Sequence, residues 1–315
     1  MYQTVTLKSA LGDYAVEFVQ HIEDITQVMD QPNTLTVIDA NVARLYPSLA
    51  RESNIIIESV ESNKTLDEAS KLLAIMVEKG IKSSSTVVVI GGGILQDLVG
   101  FCCSIYHRGI KYILVPTTLL AQADSCIGGK TSINFNKKKN ILGTFFPPVR
   151  ILTFTGFLST LSRVEYVSGL GEVFKFAILQ NTMHTFPRAM SKTAEDAVVY
   201  ESVLYKKHII DVDEFDKKER KFLNFGHTFG HALEFTSNNA IPHGVGVILG
   251  SVVSCLVSTN LNYQVPNIEL IIARAKELLD GIELRKEWFE PTAILEAVKM
   301  DKKNTGKIVD VLIDN

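Results

Sequence analysis

The chain has 315 residues, 46% of them hydrophobic, which is enough for a sizeable core and two domains. Its net charge of −3 excludes a global field that would draw it to nucleic acid or an anionic membrane, and no nucleic-acid-reading motif is present. The four cysteines are Cys102, Cys103, Cys126 and Cys255; the adjacent pair has neither disulfide nor zinc spacing, so reduced, packed thiols in a cytoplasmic protein are expected.

In chain order, the first residues lack a basic region followed by an apolar run, so no secretory signal is expected. One or two short strands and a helix fill residues 1–30. The apolar run Thr34 to Asp39 reads as a buried parallel strand, residues 41–49 as a short helix, and 54–58 as another strand. Residues 66–80 carry apolar side chains at helical spacing and stop at glycine. Ser85 to Ile90 is a further strand, followed at once by Gly91-Gly92-Gly93. Strand and helix alternate, which predicts an α/β domain with a parallel sheet. A triple glycine after a buried strand lets backbone N–H groups approach a pyrophosphate, although the ordinary Gly-x-Gly-x-x-Gly pattern is absent and a tight turn would look the same.

Lys111 to Pro116 is another strand, ending in Thr117-Thr118. Asp124 to Asn140 holds four lysines near Gly128-Gly129 and reads as a cationic, flexible pocket for a phosphate or carboxylate. A solvated loop accounts well for Lys137 and Lys138, and poorly for Lys130. Pro147-Pro148 marks a break, and the domain boundary is placed at residue 152: an α/β domain over 1–152 and a mainly helical domain over 153–315. Helices are expected over 201–213, 268–279 and 292–300, with a closing strand over 308–313. The uncharged stretch 243–263 contains Gly, Ser, Thr and Asn, and suits a buried helix better than a bilayer span.

Three residues of the second domain could hold one metal ion: Glu172, His227 and His243. Glu172 follows Gly171 and reads as lying on a helix that opens there. His227 and His231 are four apart, so both rings lie on one face of a helix, and spacing alone makes both of them ligands. His243 follows Pro242 at the mouth of a loop. Two imidazoles and a carboxylate suit zinc with an open position, although a histidine pair at this spacing is often structural.

These motifs together resemble the 3-dehydroquinate synthase family of sugar phosphate cyclases. The match runs through Gly91 to Phe101, Tyr106 to Gly109, Val115 to Thr131, Lys139-Asn140, Gly171 to Lys175, Leu223 to Glu234, and His243-Gly244, with weaker points at Asp39, Glu61, Lys64 and Lys302. The loop after Asp124 looks like the dehydroquinate synthase version rather than that of the valiolone- or deoxyinosose-forming cyclases. The resemblance implies an α/β N-terminal NAD-binding domain with a parallel sheet and a mainly α-helical C-terminal metal-binding domain. It implies a phosphate-eliminating lyase of the shikimate pathway, in aromatic amino acid biosynthesis. DAHP, a seven-carbon sugar-acid phosphate, would be oxidised by bound NAD, lose phosphate, be reduced again, and close to 3-dehydroquinate.

By the same resemblance Glu172, His227 and His243 bind zinc or cobalt, and His231 becomes a substrate and proton-relay group. Lys130, Lys175, Lys206, Arg220, Asn224, Lys302, Asp124 and Asn140 match substrate contacts. Arg108 matches an arginine that reaches a neighbouring subunit's phosphate, which implies a homodimer. Asp39, Glu61, Lys64, Gly92, Gly93, Asp97, Thr117, Thr118 and Lys139 match NAD contacts. Gln96 stands where the family usually has glycine, and Val245 where glutamate is usual; the C-terminal part is shorter than usual. A paralogous cyclase or a metal-dependent polyol dehydrogenase on the same fold is the alternative, and the lysine-rich pocket argues against the dehydrogenase.

Overall fold

The computed structural model describes residues 2–136, 138–187 and 190–300. Lys302 and the strand expected over 308–313 lie outside these. Two compact units are formed. The first runs to Thr160 and takes back Val199–Phe215; the second takes Leu161–Val198 and the described residues from Asp216 onward.

The elements of the first unit are β1 (Val5–Leu7), β2 (Tyr14–Phe18), α1 (Ile22–Met29), β3 (Thr34–Asp39), α2 (Ala40–Leu45), β4 (Ile55–Ile57), α3 (Leu66–Glu78), β5 (Thr86–Gly91), α4 (Gly93–Ile105), β6 (Lys111–Pro116), β7 (Lys130–Phe135), β8 (Lys138–Phe145) and β9 (Arg150–Thr153). Seven strands form one sheet in the order β1-β2-β9-β6-β5-β3-β4, parallel throughout except for β1 against β2. The unbroken apolar runs of β3 and β5 are explained by burial on both faces. Val87 and Val89 of β5 meet Leu72, Met76, Leu98 and Phe101 of α3 and α4 on one side. Val88 and Ile90 meet Ile25, Val28 and Val42 of α1 and α2 on the other.

Strand register gathers the residues expected to bind a cofactor. Gly91 is paired with Pro116, and Asp39 with Ile57, so Asp39, the glycine turn and Thr117-Thr118 all fall at the carboxyl ends of parallel strands. That edge is where open α/β sheets place their ligands.

The flexible loop expected over 124–140 is in large part a hairpin. After a short π-helical turn at Ala121–Ser125, β7 and β8 pair antiparallel, with Lys130 opposite Phe145. Only Thr131 and Ile133 of β7 turn inward to full burial, so the alternation is hidden among lysines and asparagines.

The second unit is helical. It contains α5 (Arg163–Leu179), the beginning of α6 (Lys192–Val212), α7 (His227–Thr236), α8 (His243–Asn260), α9 (Ile268–Leu279) and α10 (Pro291–Met300). α5 opens at Ser162, whose Oγ accepts from the Glu165 amide at 3.2 Å. Glu172 is therefore mid-helix, not at a helix start as its preceding glycine suggested. Gly171 is there for packing: a Cβ on it would lie 2.1 Å from the Gly244 carbonyl oxygen, and one on Gly244 would lie 1.6 Å from the Ser168 oxygen. Bare backbone on both sides lets α5 and α8 touch. His243 is the first residue of α8, with Pro242 at its N-cap, rather than part of a loop. By length and composition α8 could cross a membrane, yet over half of it is buried against the rest of the protein.

Candidate functional site

In the second unit the packing of α5, α7 and α8 brings three side chains to one point. Glu172 comes from the middle of α5, His227 from the start of α7 and His243 from the start of α8. Glu172 Oε1 lies 3.2 Å from His243 Nε2 and 3.5 Å from His227 Nε2. Ligand atoms of all three residues fall within 4.8 Å of one another, close enough for one ion.

Hydrogen bonds on the far side of each ring decide its tautomer. His227 Nδ1 is 3.1 Å from the Phe225 carbonyl, which only accepts, so Nδ1 carries the proton and Nε2 offers its lone pair. His243 Nδ1 is 2.8 Å from Glu234 Oε1. Glu234 is a residue that sequence reasoning missed. It lies seven residues after His227 and three after His231, on the same face of α7, and that spacing was the available signal.

Charge is arranged unevenly. Burial pushes Glu172 up, but the Lys175 ammonium and His227 outweigh it and hold the carboxyl well below the usual carboxylate range. Lys175, one helical turn on, is buried against Glu172 and donates to the Leu223 carbonyl at 2.7 Å. Burial, helped by Lys175, lowers His227 to about 4 despite Glu172. For His243, burial works against the charged ring, yet hydrogen bonds to Glu172 and Glu234 win and raise it to about 10. Arg220 is buried in the turn Glu219–Asn224, which also carries Asn224. His231 stands beside both rings, its centroid 5.3 Å from His227 and 5.8 Å from His243. It also belongs to a second possible donor group, His231, Glu234 and His243.

In the first unit, Gly92 caps α4 and Gly93 begins it. A Cβ on Gly92 would meet Thr118 Cγ2 at 3.1 Å, and one on Gly93 would meet Ser125 Oγ at 3.1 Å. Asp39 caps α2, its Oδ1 accepting from the Val42 amide at 3.0 Å. Lys64 is buried in a polar knot: it pairs with Asp97 and donates to Asn140 Oδ1 at 2.6 Å, while Ser132 Oγ reaches Asp97 at 3.0 Å. Burial raises Asp97 against the pull of Lys64. Asn134 carries Glu61 into the same neighbourhood, Nδ2 to Oε1 being 2.8 Å. Lys206, on the part of α6 that belongs to this unit, pairs with Asp124 at 2.9 Å. Lys130 lines a cleft with Gly93, Gln96, Asp97 and Ser125. Gln96 Nε2 donates to the Gly91 carbonyl at 3.2 Å. Among the described residues its Oε1 and the Ser125 Oγ are buried without a hydrogen-bond partner. Lys139 and Arg108 are exposed, Arg108 on a turn with φ of 66°.

The two sequence models of one family cover most of the chain: 3-dehydroquinate synthase N-terminal matches residues 54–168 and 3-dehydroquinate synthase C-terminal matches 169–304. The chain belongs to the 3-dehydroquinate synthase family. A relative from Alkaliphilus metalliredigens (strain QYMF), named 3-dehydroquinate synthase, is 35% identical over 301 residues, 89% of this chain and 83% of the relative. Among solved structures, 2-deoxy-scyllo-inosose synthase complexed with carbaglucose-6-phosphate, NAD+ and Co2+ shares the fold, with TM-score 0.82, 22% identity, and 95% and 89% of the two chains covered. The 2-epi-5-epi-valiolone synthase from Streptomyces hygroscopicus subsp. jinggangensis 5008, with NAD+ and Zn2+ bound, gives TM-score 0.79 at 25% identity, covering 95% and 88%. The expected division of labour in this family, a parallel α/β unit followed by a helical one, is the fold found here.

Proposed function

We propose that the chain is a cytoplasmic, homodimeric 3-dehydroquinate synthase that converts DAHP to 3-dehydroquinate and phosphate with NAD and one divalent ion, zinc or cobalt. The observation that carries the metal is the meeting of a buried carboxylate with the Nε2 atoms of two imidazoles. One carboxylate and two histidines form a catalytic zinc donor set that leaves a position for substrate. The relatives' shared name and the match to both family models support the reaction.

Within this reading Glu172, His227 and His243 hold the ion. Lys175, paired with Glu172, together with Arg220 and Asn224 orients anionic groups of the substrate, and His231 moves a proton beside the ion. In the first unit, Asp39, Gly92, Gly93, Thr117 and Thr118 hold the dinucleotide along the carboxyl edge of the sheet, with Glu61, Lys64, Asp97 and Lys139 beside it. The fit rests on bare glycine backbone at the start of α4 and on two buried polar atoms, Gln96 Oε1 and Ser125 Oγ, that have no hydrogen-bond partner among the described residues. Lys130, Asp124, Lys206 and Asn140 contact substrate, Lys302 adds a further cation, and Arg108 reaches the partner subunit's phosphate site. Bound NAD supplies a reversible oxidation and the ion a Lewis acid. Clustered cations orient the leaving phosphate and stabilise its charge.

The test is incubation of the protein with DAHP, NAD and zinc or cobalt. Phosphate release matched by 3-dehydroquinate, with no net NADH, is expected. Absence of release with every metal, in folded protein, overturns the reading. Lys130→Ala and His227→Ala are each expected to abolish turnover while leaving the circular dichroism spectrum unchanged; normal turnover in either contradicts the assigned site.

A further inference from the structure

We propose that Glu234 is the positioning residue for His243, and that by holding its Nδ1 proton it decides which of two overlapping donor groups takes the metal. The inference rests on the proposed metal site. Both groups contain His243: one adds Glu172 and His227, the other His231 and Glu234. A neutral imidazole has a single lone pair, so His243 serves one group through Nε2 or the other through Nδ1.

Three observations select Nε2. First, Nδ1 lies 2.8 Å from Glu234 Oε1, whereas Nε2 lies 3.2 Å from Glu172 Oε1. Second, Glu172 already shares its charge with the buried Lys175 ammonium and so is the poorer proton acceptor for the ring. An ionised carboxylate can only accept, so when an ion takes one ring nitrogen the shorter bond keeps the remaining proton on Nδ1. Third, His227 is fixed in the same tautomer by the Phe225 carbonyl, so both Nε2 atoms point at Glu172. The Glu234 side chain is only 13% exposed, which shields its bond from water. It also ties the first residue of α8 to the face of α7 that carries His227 and His231. Val245, where the family usually has glutamate, is fully buried and offers no acceptor.

A carboxylate behind a metal-bound histidine orients the ring and raises its basicity; its loss typically costs about 10–100-fold in metal affinity. The experiment uses the full chain stripped of metal, titrated with zinc against a chromophoric chelator and, separately, with cobalt while its visible absorption is recorded. Wild type is expected to bind one ion per chain with a cobalt spectrum of low-symmetry, tetrahedral type. Glu234→Ala should weaken zinc binding about 10–100-fold while keeping one ion and the same cobalt spectrum. Glu234→Gln, which keeps an acceptor and loses the charge, should fall between the two. Glu172→Gln should remove tight binding. Unchanged zinc affinity in folded Glu234→Ala overturns the positioning role. So does the reverse pattern, in which Glu234→Gln abolishes binding and Glu172→Gln preserves it, because Glu234 would then be a ligand. A wild-type chain that binds no ion instead overturns the metal reading itself.

Discussion

Lys175 and Glu172 form an ion pair with side chains 2% and 1% exposed, and such a pair survives burial only if each partner stays satisfied. Lys175 achieves this through Glu172 and the Leu223 carbonyl. Lys175→Met should destabilise the metal-free protein by about 3–5 kcal/mol, because it removes the buried ammonium that pairs with Glu172. Saturating zinc supplies the missing positive charge, so the gap between variant and wild type should shrink; urea unfolding with and without zinc measures it, and an equal gap in both would refute this role for the lysine. Protons follow the same logic. His243 is raised from 6.5 to about 10, so between those values the metal-free ring holds a proton that an ion must displace. Zinc binding in that window should release close to one proton per ion, and apparent affinity should rise with pH until about 10. Calorimetry in buffers of different ionisation enthalpy reads this directly; no proton release would contradict it. Histidine spacing alone made His227 and His231 both ligands. The proposed choice of His227 and His243 is supported by what lies behind each ring, Phe225 for one and Glu234 for the other, and the packing of α8 on α7 brings Glu234 to His243.

At the scale of elements, the site exists because α5 and α8 approach to backbone contact. Gly171→Ala places a methyl 2.1 Å from the Gly244 carbonyl, which no side-chain motion relieves. A loss of about 3 kcal/mol, at the upper end for overpacking, is expected, with weaker zinc binding because α8 carries His243 away from Glu172. Denaturant unfolding and zinc titration check both, and a variant as stable as wild type would show that the helices are not locked there. The glycine ahead of Glu172 was visible in the sequence and suggested a helix start. Its real cause, the neighbouring Gly244, lies seventy-three residues away by number and could not be read locally. The parallel strands were legible because burial on both faces writes an unbroken apolar run. The β7–β8 hairpin was not, because its lysines and asparagines conceal a period of two.

For the whole molecule, one parallel sheet covered on both faces supplies the carboxyl edge at which Asp39, the glycine turn and Thr117-Thr118 assemble. The return of Val199–Phe215 to the first unit, which sets Lys206 on Asp124, has no sequence signature, since helical periodicity does not say which core a helix joins. All four cysteines are buried. Burial pushes Cys102, Cys126 and Cys255 up to about 12 and Cys103 well above its ordinary value. The native chain should therefore resist thiol reagents at neutral pH and expose four reactive thiols only on unfolding; prompt labelling of folded protein would contradict this packing.

The most direct test of the site is anomalous diffraction at the zinc absorption edge from crystals of the full chain grown with zinc. A single strong peak is expected about 2.0–2.2 Å from a Glu172 oxygen and from Nε2 of His227 and His243, with Glu234 on the opposite nitrogen of His243. A peak held by His231 and Glu234 instead, or none near these helices, would show that the ion sits elsewhere and that the three-residue site is wrong.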